Sequence, residues 1–519
     1  MADIAKGVRS FTVGTALSRV LGLVRDSVIA YLFGAGTATD AYNAAFRIPN
    51  LLRDLFAENA LSSAFVPVLM DQKEKGREAE NRFASNIFNS LLLVVGLITV
   101  AGMLASSALA RVIAFGFDKV PGKLALTGGL TRVMFPFLLF IALGAWAMSI
   151  LNTHGLFFVP AVAPAFFNIF SIAAPITLFA YLRSRGVDPV YGLAIGVTVG
   201  GLMQFLVQVP NLFKLGFRYR PYLNFRDPEF KRMMGFFAPV VIGLSGARFN
   251  VFVSTFLVSL LAEKSLTWLN NAYRIMNLPL GLFGVAVGTV ALSTLSRFVV
   301  EKNPAAIRDT LFDSMRMVLF LTIPTSALIG FLAGPITDVV YRRGRFTAAD
   351  AAGTAAILTV YMIGVPFISV LRNVAAVFYA HKDARSPMIA SFISVGINLV
   401  LNVTLMWKLG TLAFPLSATV AAAVNVAYLY GRLPDKIGAV DSKPLFRYAG
   451  ALLFASLSGG AAGWTVYWAL GHVLGRGQIW SFLNLAFSGA AGFGMFYVVA
   501  VLIGIEDVQK YLRRFLKIG

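Results

Sequence analysis

Apolar runs of about twenty residues recur along the whole chain, separated by short polar segments. At the length needed to cross a bilayer, they predict about fourteen helical spans. Approximate limits are 9–33, 40–67, 86–110, 127–152, 160–182, 190–213, 236–261, 268–296, 311–334, 352–379, 388–407, 412–431, 448–471 and 480–504. The runs are continuous rather than alternating, so the expected class is an all-α polytopic membrane protein and not a β-barrel. The longest polar segments are "DQKEKGREAENR" (71–82), "KLGFRYRPYLNFRDPEFKRM" (214–233) and "RLPDKIGAVDSKPLFR" (432–447).

The pattern repeats. "AFRIPNLL" (45–52) is similar to "AYRIMNLP" (272–279), and "FPFLLFIALG" (135–144) to "VPFISVLRNV" (365–374). Asn168 and Asn398 keep nearly the same offset, about 230 residues. Each repeat holds six spans, an even number, so both enter the membrane from the same side. That is a parallel repeat, a pattern common in transporters. The expected organisation is two six-helix lobes, 1–233 and 234–433, followed by two further helices and a tail, 434–519. The two leftover spans carry small-residue runs, "SGGAAG" (458–463) and "SGAAGFG" (488–494), which permit close helix approach. They either pad the bundle or form an apolar groove for a lipid chain.

Charge changes this picture. The basic residues within or near spans are Arg19, Arg25, Arg47, Arg53, Arg132, Arg248, Arg274, Arg316 and Arg372; all are arginine, none lysine. On a helical projection Thr15, Ser18, Arg19, Gly22, Arg25 and Asp26 share a sector of about 120°. Asp40, Asn43, Arg47, Asn50, Asp54 and Glu58 share about 80°, with Arg53 beside them. Asn270, Arg274, Asn277, Gly281, Gly284 and Gly288 form a third narrow stripe. Such faces cannot sit in lipid and are expected to line a cavity. Arg132 and Arg316 lie near span ends, where snorkelling accounts for them. Asp26 and Asp54 offer partial pairing to their neighbours, and Asp40, after "GAGTAT", reads as a helix N-cap.

Acids within the spans are too few to pair every arginine. A cavity of spare guanidinium groups implies an anionic cargo, and the fork geometry of arginine suits phosphate. Pro49, Pro136, Pro279 and Pro366 fall within spans, as do Gly281, Gly284 and Gly288; they are candidate kinks or static packing sites.

Composition narrows the class further. The chain is 58% hydrophobic with a net charge of +21, and its mean hydropathy is +0.75. Roughly 25 of the basic residues fall on one side of the membrane and about 11 on the other, which predicts cytoplasmic N- and C-termini. The positive charge is thus topological, and no nucleic-acid partner is expected. There is no cysteine, and His154, His381 and His472 are isolated, so no metal site or cofactor is expected. The N-terminal run is broken by Arg19 and Arg25 and no A-x-A site follows, so it does not read as a cleavable signal.

"SRVLGLVRD", "FGAGTATDAY", "FRIPNLLRDLFAENALSSAFVPV" and "GLFGVAVGTVALSTLS" resemble the MurJ (MviN) lipid II flippases. These belong to the multidrug/oligosaccharidyl-lipid/polysaccharide exporter superfamily. The resemblance extends over essentially the whole chain. It implies movement of the undecaprenyl-pyrophosphate-linked peptidoglycan precursor from the inner to the outer leaflet of the bacterial cytoplasmic membrane. It further implies two lobes forming a V around a cationic cavity, and a groove for the polyprenyl tail in the last two helices. The family's essential arginines fall at Arg19, Arg25, Arg53 and Arg274, and its essential aspartate at Asp40. Ser18, Arg47, Asn50, Asp54, Glu58, Arg248, Asn270, Asn277 and Arg372 are expected to line the cavity. Some members carry acids beside the last arginine, where this chain has Tyr273 and Asn277.

Competing readings differ in chemistry. A flippase for another polyprenyl-pyrophosphate glycan, such as O-antigen or capsule units, would use the same cavity. A cation-coupled drug exporter would need intramembrane carboxylates, and the candidates here lie mainly beside arginines in the second span. A membrane glycosyltransferase needs a catalytic acid or metal ligands, and the loops show no paired-carboxylate motif. Membrane potential, a proton or a chloride-like anion are each compatible as the driving force.

Overall fold

The computed structural model describes residues 2–53, 60–438, 441–473, 477–505 and 507–508, with the backbone alone at 2–16, 60, 240, 242–249 and 285–286. Asp54 and Glu58 lie outside the described residues, as does the side chain of Arg248. Among the described residues the secondary structure is helical and without strands, as the continuous apolar runs require.

By length and apolar composition, ten helical stretches qualify as membrane spans among the described residues. One of them, Arg385–Ile437, contains two expected spans, 388–407 and 412–431. The expected spans 9–33, 40–67 and 236–261 are not among the ten. The first lies on Ala2–Phe33 and the third largely on Pro228–Ser259, both 32-residue helices. At 1.5 Å per residue each extends about 48 Å, beyond the roughly 30 Å of a hydrocarbon core. Of the second, the described residues lie on Thr37–Arg53 and Ala60–Glu74.

The chain forms two compact units, residues 1–267 and 268–519. This division follows packing, whereas the expected lobes follow the repeat. In the first unit Phe65, Phe83, Phe137 and Trp146 are buried, and the Trp146 indole donates to the Ala84 carbonyl at 3.0 Å. In the second, Leu295, Leu311, Val318, Val374, Phe378 and Leu452 belong to one core. Many large apolar side chains face outward, among them Leu97, Val290, Phe392 and Trp407. In a bilayer those faces meet lipid.

The candidate kinks divide. A break at Phe135–Pro136 separates Lys123–Met134 from Phe137–Thr153, and Pro279 precedes a π-helical turn, Leu280–Gly284. Proline supplies no N–H, so the ladder reorganises at both places. Pro49 and Pro366 instead lie in helices that run on without interruption.

Small residues set the close helix contacts. A Cβ on Gly459 would stand 2.6 Å from the Gly492 carbonyl oxygen, and one on Gly463 2.9 Å from that of Ser488. The last two long helices, Lys443–Val473 and Gln478–Leu502, therefore touch backbone to backbone, as their small-residue runs require. Gly459→Leu should reduce the yield of monodisperse protein severely, since overpacking costs about 1–3 kcal/mol or more. Gly489→Leu, where nothing lies within 4 Å, should leave the size-exclusion profile unchanged. Equal yields would contradict this packing.

Candidate functional site

Ala2–Phe33 packs against Phe158–Ser184. Asn168 of the second helix donates to the Ser18 carbonyl at 3.0 Å, and the Arg25 guanidinium stands 5.6 Å from the Phe167 ring centre. Arg25 also pairs with its neighbour. Its Nε and Nη2 lie 3.3 and 3.2 Å from Asp26 Oδ1, with side chains 13% and 6% exposed. The partial pairing expected between Arg25 and Asp26 is thus present. The pair occupies two of the five guanidinium N–H donors. Arg19 is exposed.

On Thr37–Arg53, the side chains of Arg47, Asn50 and Arg53 are half-buried, and both arginines have interaction partners. In the second unit Asn270, Arg274 and Asn277 are half-buried, Arg372 is exposed, and Asn270 and Arg274 are also partnered. Asn277 Nδ2 donates to the Tyr273 carbonyl at 2.8 Å, while the Tyr273 ring meets Tyr361 edge-on at 6.0 Å. The glycines of this stripe do different work from its polar residues. A Cβ on Gly284 would meet Ser369 Oγ at 2.9 Å, and one on Gly288 would meet Arg372 Cβ at 3.1 Å. They admit the neighbouring helix, Ala348–Ala380, rather than line an open space.

Asp40 is 1% exposed and accepts from four donors. Lys123 Nζ lies 2.9 Å and the Lys264 backbone N 2.8 Å from Oδ2; the Thr267 backbone N and hydroxyl lie 3.0 and 2.6 Å from Oδ1. Asp40 sits in the first turn of its own helix, whose start is closed by Thr39 Oγ1 accepting from the Gly36 N–H at 3.0 Å. The expectation that Asp40 caps its own helix is thus corrected. It closes the start of another, Ser265–Pro279, which carries Arg274. That start needs an outside acceptor: Lys264, at φ 74, precedes the helix and has no side-chain oxygen to offer its orphan N–H groups. A carboxylate there also meets the positive end of the helix dipole.

Lys123 is a residue that sequence reasoning missed. It is 2% exposed, and its Nζ also stands 4.2 Å from the Phe117 ring centre and 3.9 Å from Glu263 Oε1. The all-arginine reading placed it in a loop, just before the span expected at 127–152. Its partner is 83 positions away in sequence, beyond any local spacing rule.

The connecting segments sort by parity. Those after the second, fourth and sixth expected spans bond to one another: Lys75 to Glu229 at 2.8 Å, Arg232 to Asp71 at 2.7 Å, Lys73 to the Thr153 carbonyl at 3.1 Å, Arg77 to His154 at 2.9 Å. Those after the first, third and seventh also meet, through Asp40–Lys123, the Thr37 hydroxyl with Glu263, and the Gly116 N–H with Ser259 Oγ at 3.2 Å. In the second unit Asp383 and Lys436, after the tenth and twelfth, pair at 2.9 Å. Alternate crossing of a membrane produces this sorting. Outside the spans, burial together with Lys73 and Arg77 lowers the His154 pKa against the opposing pull of Glu80. The Ser386 N–H and then Lys436 hold Asp383 well below the usual carboxylate range.

The sequence pattern of the family described as "Lipid II flippase MurJ" matches residues 29–485. The "Probable lipid II flippase MurJ" of Vibrio cholerae is 36% identical over 424 residues, 80% of each chain. This chain belongs to the MurJ family.

The solved structure of "Lipid II flippase MurJ, inward closed conformation" superposes with a TM-score of 0.77 at 26% identity, covering 96% of this chain and 99% of that one. An inward-facing multidrug transporter of the MATE family in the MOP superfamily has a TM-score of 0.64 at 14% identity, covering 80% and 94%, a likeness of fold alone. The family resemblance is borne out over residues 29–485, and with it the class: a multi-pass helical membrane protein of the MurJ family.

Proposed function

We propose that this chain flips lipid II from the cytoplasmic to the outer leaflet of the bacterial cytoplasmic membrane by alternating access, leaving it chemically unchanged. The observation that carries the reading is the family match over residues 29–485, with arginines at 19, 25, 53 and 274 supporting it. A pyrophosphate must shed water to cross the bilayer centre. Guanidinium groups replace that water with charge-assisted hydrogen bonds. Arg19, Arg25, Arg53 and Arg274 hold the pyrophosphate, with Ser18, Arg47, Asn50, Asn270, Asn277 and Arg372 as secondary contacts. Asp40 serves transport without touching the anionic cargo, because its oxygens are already occupied. Residues 443–502 form the groove for the prenyl tail. Growth rescue of a cell depleted of its native lipid II flippase tests the reading; failure of the well-expressed wild-type chain would contradict it, and rescue of an O-antigen flippase defect instead would favour the alternative cargo.

Both termini are proposed to be cytoplasmic, together with 71–82 and 214–233. The parity of the connecting segments supports one common side for those two, and the excess of Lys and Arg there supports the cytoplasm. Because the chain has no cysteine, single cysteines at Glu74 and Arg226 report the side directly. An impermeant thiol reagent should leave both unlabelled in intact cells and label both after permeabilisation. Labelling in intact cells would reverse the orientation.

A further inference from the structure

The Asp40 cluster contains a group that the pyrophosphate chemistry does not use. Lys123 is a fully buried ammonium at the first position of Lys123–Met134. It is held between the Phe117 ring and the carboxylate of Asp40, with Glu263 as a more distant second acid. A buried ammonium is retained only where it is paired and hydrogen-bonded. It cannot serve as a cargo ligand from there, since it is enclosed within the unit at 2% exposure and bonded to Asp40. Asp40 in turn needs it. A carboxylate spreading its two oxygens over the start of a foreign helix must stay ionised and correctly turned, and the 2.9 Å contact from Lys123 to Oδ2 leaves Oδ1 aimed at Thr267. The other groups at this cluster are Glu263, bonded to the Thr37 hydroxyl, the Lys264 N–H on Oδ2, and Thr39, whose hydroxyl oxygen lies 3.1 Å from that of Thr267.

We infer that Lys123 is a positioning residue for transport: it acts through Asp40 to fix the start of Ser265–Pro279. The inference rests on the proposed flippase reading. Its chemistry makes a specific demand. Volume alone does not suffice at position 123, whereas a second cation in the same place does so in part, because Asp40 keeps its charge and orientation.

The test uses full-length protein reconstituted with lipid II, comparing wild type, Lys123→Arg, Lys123→Met and Lys123→Met/Asp40→Asn. Lipid II translocation, lipid II binding and the midpoint of thermal unfolding are read for each. Lys123→Arg should keep at least a third of the wild-type rate, and Lys123→Met less than a tenth, with lipid II binding within about twofold of wild type. The double variant should unfold at a higher temperature than Lys123→Met, because removing both charges relieves the stranded carboxylate. Lys123→Met transporting as well as Lys123→Arg would overturn the inference, and so would binding that falls in step with transport. Should wild type fail to move lipid II, the flippase reading fails instead. The unfolding order then still reports the Lys123–Asp40 coupling, and a double variant no more stable than Lys123→Met would overturn that too.

Discussion

Arg274→Ala and Arg25→Ala are each expected to abolish rescue of a flippase-depleted cell while the protein remains inserted. A hydrogen bond to a charged group contributes about 1.5–3 kcal/mol, so losing one guanidinium should weaken cargo binding by roughly 10- to 100-fold. Lysine at either place should restore only part of the activity, because it keeps the charge and loses the fork. Arg25 needs a further control. Its removal strands Asp26, a carboxylate only 6% exposed, and breaking a buried pair from one side costs about 3–5 kcal/mol. Arg25→Gln/Asp26→Asn removes the charge without stranding a partner. It should insert normally, as judged by immunoblot of membranes, and still fail to rescue. Rescue by that double variant would make Arg25 a packing residue.

Asp40→Asn should separate binding from movement. With both oxygens occupied and 1% exposure, the carboxylate has no free face for cargo, and an anion would repel pyrophosphate. Lipid II affinity, measured by titration in detergent, should stay within about twofold, whereas translocation should fall at least tenfold. Asp40→Ala should be worse, lowering the unfolding temperature as well, because it strips the buried Lys123 ammonium of its close partner and leaves only Glu263 at 3.9 Å. An Asp40→Asn variant that loses affinity and transport in proportion would return Asp40 to the cargo site.

Much of the fold was legible because its determinants are local. Twenty-residue apolar runs dictate helices in lipid. Small-residue runs dictate close pairs, and Gly459 and Gly492 meet as their spacing requires. Proline positions were legible as candidate breaks but not as outcomes: the helix geometry changes at Pro136 and after Pro279, while Pro49 and Pro366 lie inside helices that run on. The polar stripes identified arginine-bearing faces, yet a projection treats every residue of a face alike. Gly284 and Gly288 share a face with Arg274 and pack against another helix.

The Asp40 cluster was the least legible part. "GAGTAT" preceding an aspartate is a sound local cap signal, and the helix that Asp40 closes begins 225 positions later. Lys123 shares this difficulty: nothing within its own stretch requires a buried partner. One non-local signal was present. Position 40, the segment around 123 and the turn at 262–267 follow odd-numbered expected spans, so alternate crossing brings them to one side of the membrane, where Asp40 and Lys123 can meet.

The central claim is that the protein moves lipid II and does not alter it. Purified full-length protein in vesicles loaded with lipid II tests this most directly, by the fraction of headgroup open to an impermeant modifying reagent outside and by the mass of the recovered lipid. The account predicts that this fraction rises well above that of protein-free vesicles, that the unmodified remainder keeps its mass, and that Arg274→Ala abolishes the rise. No rise with wild type, or a lipid recovered with altered mass before the reagent is added, would contradict it.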